Sequence, residues 1–123
     1  MAENIQNYRD LRVWQRGIEL VKEVYKLTQE FPKGETFGLV NQMRRSAVSI
    51  PSNIAEGQSR RHPGEFRQFL FMALGSSAEL DTQLVIAKEL DYITEEQAQL
   101  MCNLIIEIRK MAYKLISKLP PSR

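Results

Sequence analysis

The sequence predicts an all-α protein, an up-down-up-down antiparallel four-helix bundle with a proline-kinked second helix, in a single domain over residues 1–123. Three observations carry this expectation. Apolar residues recur every three or four positions in four separate stretches, which puts them on one side of a helix in each. Proline, glycine and polar clusters fall between the stretches. No run alternates apolar and polar residues as a half-buried strand would.

Residues 1–9 have no periodicity and read as a loose arm. Asp10 is placed to cap the first helix. Helix one starts at Leu11, with a seam of Leu11, Trp14, Ile18, Val21, Tyr25 and Thr28 widened by Leu20, Val24 and Leu27. It should end near Glu30, because the residue before Pro32 is pushed out of the helical region and Gly34 lies two positions on. Trp14 and Tyr25 admit a base-stacking reading, but at core spacing packing is preferred.

Helix two is expected to begin near Glu35 to Phe37 and to run to about Glu56, with Leu39, Met43, Ala47, Ile50 and Ile54 on its apolar side. Pro51 interrupts that side. It lacks an amide hydrogen and its ring crowds the carbonyl of Ala47, so the helix must bend or break near Val48 to Pro51. The apolar register continues across the proline, and Ser46, Ser49, Ser52 and Asn53 can bond the backbone groups it leaves unpaired, which favours a kinked continuous helix. Gly57 stands where a left-handed C-terminal residue is wanted, with Gln58 to Arg61 as polar linker. An arginine of this helix facing a neighbour would need a carboxylate, and Glu79 and Asp81 are the candidates.

Pro63 suits the first position of helix three, and Glu65 in the first turn suits its dipole. The seam Phe66, Leu70, Ala73, Ser77, Leu80, Leu84, Ala87 alternates four and three and ends near Leu90. Small residues around Gly75 make a thin section, expected to pack closely against the kink of helix two. Thr94 and Gln97 form a capping box with Ile93 as its staple, starting helix four. Met101, Ile105, Ile108, Ala112, Leu115 and Leu119 are its seam until Pro120 and Pro121 stop it, leaving residues 120–123 as a tail.

With 43% hydrophobic and 26% charged residues the composition is that of an ordinary folded domain. No apolar run of about 18 residues suggests a membrane span, and MAENIQNYRD lacks the apolar core of a signal peptide, so a cytoplasmic protein with no membrane partner is expected. The single cysteine, Cys102, excludes an internal disulfide and a multi-cysteine metal site; its expected role is a small buried apolar residue. His62, the only histidine, lies in polar linker, and neither a Glu-x-x-His pair nor a phosphate-cradling glycine motif is present. Glu79 and Asp81 point to different sides of a helix. The expectation is a protein that is not an enzyme, with no catalytic residues, no metal and no cofactor. Net charge is only +2, yet Arg44, Arg45, Arg60, Arg61 and Arg67 stand against Glu56 and Glu65 in one window, a local +3 with −1 elsewhere. These five arginines are the candidate nucleic-acid surface; a solvated face with paired arginines, Glu56 among their partners, is the competing reading.

RRSAVSIPSNIAEG, preceded by FPKGETFGLVNQM and succeeded by ALGSSAELDTQL, resembles the small four-helix-bundle proteins associated with intervening sequences in 23S ribosomal RNA genes. LRVWQ at Leu11 to Gln15 and LDYIT at Leu90 to Thr94 extend the likeness over nearly the whole chain. The motif positions Pro51, Asn53, Glu56, Gly57, Gly75 and Glu79 are taken as structural. The family is distantly similar to accessory proteins of diversity-generating retroelements, and the resemblance implies a homo-oligomer, a pentamer. Apolar residues beside the seams, Val13, Leu20, Val24 and Leu27 on helix one with Phe69, Phe71, Leu74, Val85 and Ile86 on helix three, exceed what one bundle buries and point to a subunit interface. The function implied is a non-enzymatic oligomeric module bound to RNA or DNA through summed arginines. The alternative is a protein-binding scaffold, an accessory partner of a reverse transcriptase or another host protein.

Overall fold

Gly17 on the first helix and Pro51 on the second meet closely enough to set how the helices pack. The computed structural model describes residues 7–121. Its helices are α1 Arg12–Thr28, α2 Asn41–Ser59, α3 Pro63–Glu89 and α4 Glu95–Lys118. Each packs against the next, and α4 closes against α1 around a core that includes Leu20, Met43, Ile50, Ile54, Leu70 and Leu80.

Before α1, Asn7 caps a short 3-10 turn, Tyr8–Asp10, by accepting from the Arg9 amide at 2.8 Å. Asp10 therefore lies inside that turn, and Leu11 takes the cap position of α1 without a side-chain bond. Residues 1–6 of the expected arm, and 122–123 of the expected tail, lie outside the described residues. The buried stripe of α1 is Val13, Gly17, Leu20, Val24 and Thr28. The expected seam is thus turned: Ile18 and Tyr25 are exposed, and Trp14 is half-buried against Tyr8 at 5.5 Å between ring centres. The cause is Gly17, where a Cβ would stand 3.3 Å from the Cβ of Pro51. A bare backbone there admits α2, and the aromatics rotate outward.

The chain leaves α1 through a 3-10 turn, Lys33–Glu35, and a segment kinked at Gly38, Thr36–Val40, before α2 begins. Glu35 holds this connection, accepting from the Leu39 amide at 3.2 Å and from the Tyr92 hydroxyl at 2.8 Å. Phe31 stacks on the Tyr92 ring at 5.3 Å, so the connection between α3 and α4 meets that between α1 and α2.

α2 runs as one helix through the buried Pro51. Asn53 donates to the Ser49 carbonyl at 2.8 Å and to its hydroxyl at 2.9 Å, not to the Ala47 carbonyl that Pro51 leaves without its helix donor. Gly57 is not a left-handed terminator. It lies within α2, no described glycine has a positive φ, and Arg61 at φ 56° makes the turn instead. What Gly57 supplies is space, because a Cβ there would lie 2.6 Å from the Cβ of Phe69 on α3.

α3 has Pro63 in its first turn and buries Leu70, Ala73, Ser77, Leu80, Leu84 and Ala87 as the spacing predicts. Gly75 plays no part in close packing. It is exposed, and a Cβ there would meet nothing within 4 Å. The tight contact beside it comes from Ser76, whose hydroxyl pairs with that of Ser49 at 2.7 Å. By length and composition α3 is apolar enough to cross a membrane, contrary to the reading of the sequence, but its buried seam packs here against α2 and α4. The capping box of Thr94 and Gln97 starts α4, which buries Met101, Ile105, Ile108 and Ala112, while Cys102 is only half-buried.

Of the helix-one residues expected at a subunit face, Val13, Leu20 and Val24 are in the core and Leu27 is half-buried. Leu74 is also buried, whereas Phe71, Val85 and Ile86 remain exposed. The turn of α1 accounts for the burial of its own three residues.

The two glycine positions should respond to a methyl group in opposite directions. Gly57→Ala should lower unfolding stability by about 1–3 kcal/mol because the helices must separate, while Gly75→Ala should raise it by about 0.5–1 kcal/mol through helix propensity; urea midpoints of both variants check the pair. Glu35 is held below its ordinary value of 4.5, first by the Tyr92 hydroxyl and then by the Leu39 amide. Its folded value being the lower, the stability it contributes is present above that range and is lost as pH falls through the depressed value. Thermal midpoints measured against pH should fall on the acid side for the parent and fall less for Glu35→Gln.

Candidate functional site

The five candidate arginines do not form one patch. Arg45 and Arg60 are fifteen positions apart in sequence, a separation of about 22 Å at 1.5 Å per residue, so Arg44 and Arg45 belong to one end of the bundle and Arg60, Arg61 and Arg67 to the other.

Arg44 is tied to α1. Its Nε donates to the Thr28 hydroxyl at 2.9 Å and its guanidinium lies 4.3 Å from the centre of the Tyr25 ring. Its support is thus a hydroxyl and an aromatic face; neither Glu79 nor Asp81 forms an ion pair among the described residues. Arg45 is exposed beside an α2/α3 groove lined by Gln42, Ser46, Ser49, Glu79 and Gln83. At the far end Arg60 bridges Glu56 at 2.8 Å and Glu65 at 3.1 Å and lies over Phe69. The two carboxylates, Glu56 foremost, raise its pKa. Glu56 therefore has the pairing role preferred from sequence. Arg61 is exposed in the turn between α2 and α3. Arg67 donates from Nη2 to the Pro120 carbonyl, tying the start of α3 to the end of α4, while its Nη1 is buried without a hydrogen-bond partner.

The structure adds cations that sequence reading passed over. Arg12 on α1 faces Lys114 and Lys118 on α4 across a groove of about 390 Å³ floored by Leu11, Val13, Met111 and Leu115. Arg9, in the 3-10 turn before α1, and Lys110, on α4, are also exposed. None of these five cations makes an ion pair with a described residue. Lys110, Lys114 and Lys118 recur every four positions, a stripe that was legible in the sequence. Nearby, Arg16 joins α1 to α4 by donating from Nε to Glu107 at 3.1 Å, which holds the Glu107 carboxyl below its usual range.

Contacts of Gly57 with α3, Arg67 with Pro120 and the Arg12 groove gather residues 7–19, 56–67 and 107–121 into one half of the bundle. That half carries ten Lys and Arg against five Asp and Glu, net +5. The remaining described residues carry six against nine, net −3. Such a half can hold a polyanion by charge. His62 is exposed at the cap of α3, and no cluster of three or more metal-liganding side chains occurs among the described residues.

A family model described as 23S rRNA-intervening sequence protein matches residues 9–114. Among curated proteins none matches. A solved structure of a protein of unknown function from the S23 ribosomal protein family of Bacteroides thetaiotaomicron VPI-5482 superposes with a TM-score of 0.80 at 26% identity, covering 86% of this chain and 96% of that one. Matched over that span, and four-helical like the fold described above, the chain belongs to the 23S rRNA-intervening sequence protein family.

Proposed function

We propose that this chain is a non-enzymatic, RNA-associated accessory module that works in the cytoplasm as a ring-shaped homo-oligomer, a pentamer. The observation that carries the reading is the +5 half of the bundle, in which Arg9, Arg12, Lys110, Lys114 and Lys118 form no ion pair with a described residue, Arg12 acting on Glu107 only at longer range. Arg60, Arg61 and Arg67 lie in the same half and join that surface. Arg44 serves the contact between α1 and α2, and Arg45 is peripheral to it. Family membership favours RNA as the polyanion.

An up-down-up-down course, with α2 bent at Pro51, underlies this surface, since it brings the start of α1, the end of α2, the start of α3 and the end of α4 together. Oligomerisation multiplies the charge. Five such cations per chain become about twenty-five in a pentamer, and each phosphate neutralised on a single strand steepens the salt dependence by about 0.7 in the log–log slope. Two apolar faces support the assembly. Phe71, Val85, Ile106 and Tyr113 are exposed on α3 and α4, and Ile18, Tyr25 and Val48 on α1 and α2. Different faces meeting side by side make a heterologous contact that closes into a ring.

Anisotropy of a fluorescein-labelled single-stranded RNA checks the proposal. Affinity should fall steeply between about 50 and 200 mM salt, and changing Arg9, Arg12, Lys110, Lys114 and Lys118 to glutamine should weaken binding by about tenfold or more. Arg44→Gln with Arg45→Gln should leave it within about twofold. Absence of binding by the parent, or binding indifferent to salt, would refute the reading.

A further inference from the structure

The opposite end of the bundle holds Phe37 in solvent at 94% exposure, the largest value among the described large apolar residues. Slack in the chain does not explain it. Two residues earlier Glu35 is bonded to the Leu39 amide and the Tyr92 hydroxyl, and two residues later Leu39 and Val40 are buried. The kinked segment Thr36–Val40, in which Gly38 leaves helical geometry at φ −107° and ψ −109°, sends Leu39 and Val40 inward while Phe37 projects. The backbone on either side of Phe37 is held, so covering the ring orders only one side chain, and large apolar side chains of this kind serve as interface anchors.

Leu90, 51% exposed, lies two residues before Tyr92 in the turn that Tyr92 ties to Glu35. The surrounding charge is acidic. Residues 29–40 and 88–97 contain Glu30, Glu35, Glu89, Asp91, Glu95 and Glu96 against Lys33 and Lys88, net −4. Glu35 is engaged by Tyr92 and Glu95 by Lys88 at 3.0 Å, whereas Glu30, Glu89, Asp91 and Glu96 are exposed and outside any ion pair among the described residues.

We propose that this tip docks a basic amphipathic segment of a partner protein, with Phe37 as its anchor and the carboxylates around it as the charge match. Phosphates are repelled by a net −4, so RNA is kept to the other half. A second copy's cationic half would also match in sign, but end-to-end contact does not close and would string bundles into a filament. The module then has two functional ends, one for a polyanion and one for a polycation-bearing protein segment.

The test titrates the full chain into a fluorescein-labelled amphipathic peptide of leucine and lysine, about 18 residues or five helical turns long, with a leucine and glutamate peptide as control. The lysine peptide should bind and the glutamate peptide should not. Phe37→Ala should weaken binding by about tenfold, Phe37→Trp should retain it, and Glu89→Gln with Asp91→Asn should weaken it and reduce its salt dependence. Thermal midpoints of these variants should stay at the parent value, because the Phe37 ring is held by almost nothing in the bundle. Equal binding of both peptides, or binding unchanged in Phe37→Ala, overturns the proposal. So does a change of protein mass on Phe37→Ala, which would make the tip a self-contact, or a loss of RNA retention, which would make Phe37 a base platform.

Discussion

The close approach of α2 to the helices on either side of it governs the packing of the whole bundle. It is made at two glycines. Gly17 lets Pro51 sit against the backbone of α1, and Gly57 lets Phe69 of α3 sit against the backbone of α2. A proline inside a helix forfeits a hydrogen bond and crowds the preceding turn. Here its ring fills the space above Gly17, so the residue that disturbs α2 locally also fastens it to α1. The same contact turns α1 about its axis, burying Val13, Leu20 and Val24 and leaving Ile18 and Tyr25 outside.

From that packing come two ends of different character. At one, Arg67 reaches the Pro120 carbonyl and Arg16 reaches Glu107, and lysines of α4 face Arg12 across an apolar floor. At the other, Tyr92 joins two connections through Glu35 and Phe31, with carboxylates outside. Separation of +5 from −3 within one bundle costs little in water, because most of these charges are exposed and screened by salt. The proposed ring would place several copies of the cationic half around one axis.

Most of the fold was legible in the sequence because it rests on periodicity and on end signals. The Thr94 and Gln97 box, Pro63 in the first turn and the seams of α3 and α4 all occupy the places their spacing predicts. Glycines were the failing. Gly57 looked like a terminator and is a contact, while Gly75 looked like a contact and is exposed, since an absent side chain does not state whether it serves backbone freedom or space. Gly17 carried no signal in a seam chosen for bulk, and the register of α1 was misjudged with it. For the candidate site, linear proximity gathered five arginines that the length of α2 divides between two ends of the bundle, about 22 Å apart. Arg9 and Arg12 could be joined to Lys110, Lys114 and Lys118 only by knowing that α1 packs on α4.

On the proposed reading, function belongs to an assembly whose apolar faces close on one another and whose cationic halves add. The mass of dilute protein by light scattering at moderate salt decides between that assembly and a lone bundle. A ring requires a single species of about five times the 14.3 kDa chain, unchanged on dilution. A mass of one chain, 14.3 kDa, would contradict the ring and the summed charge together.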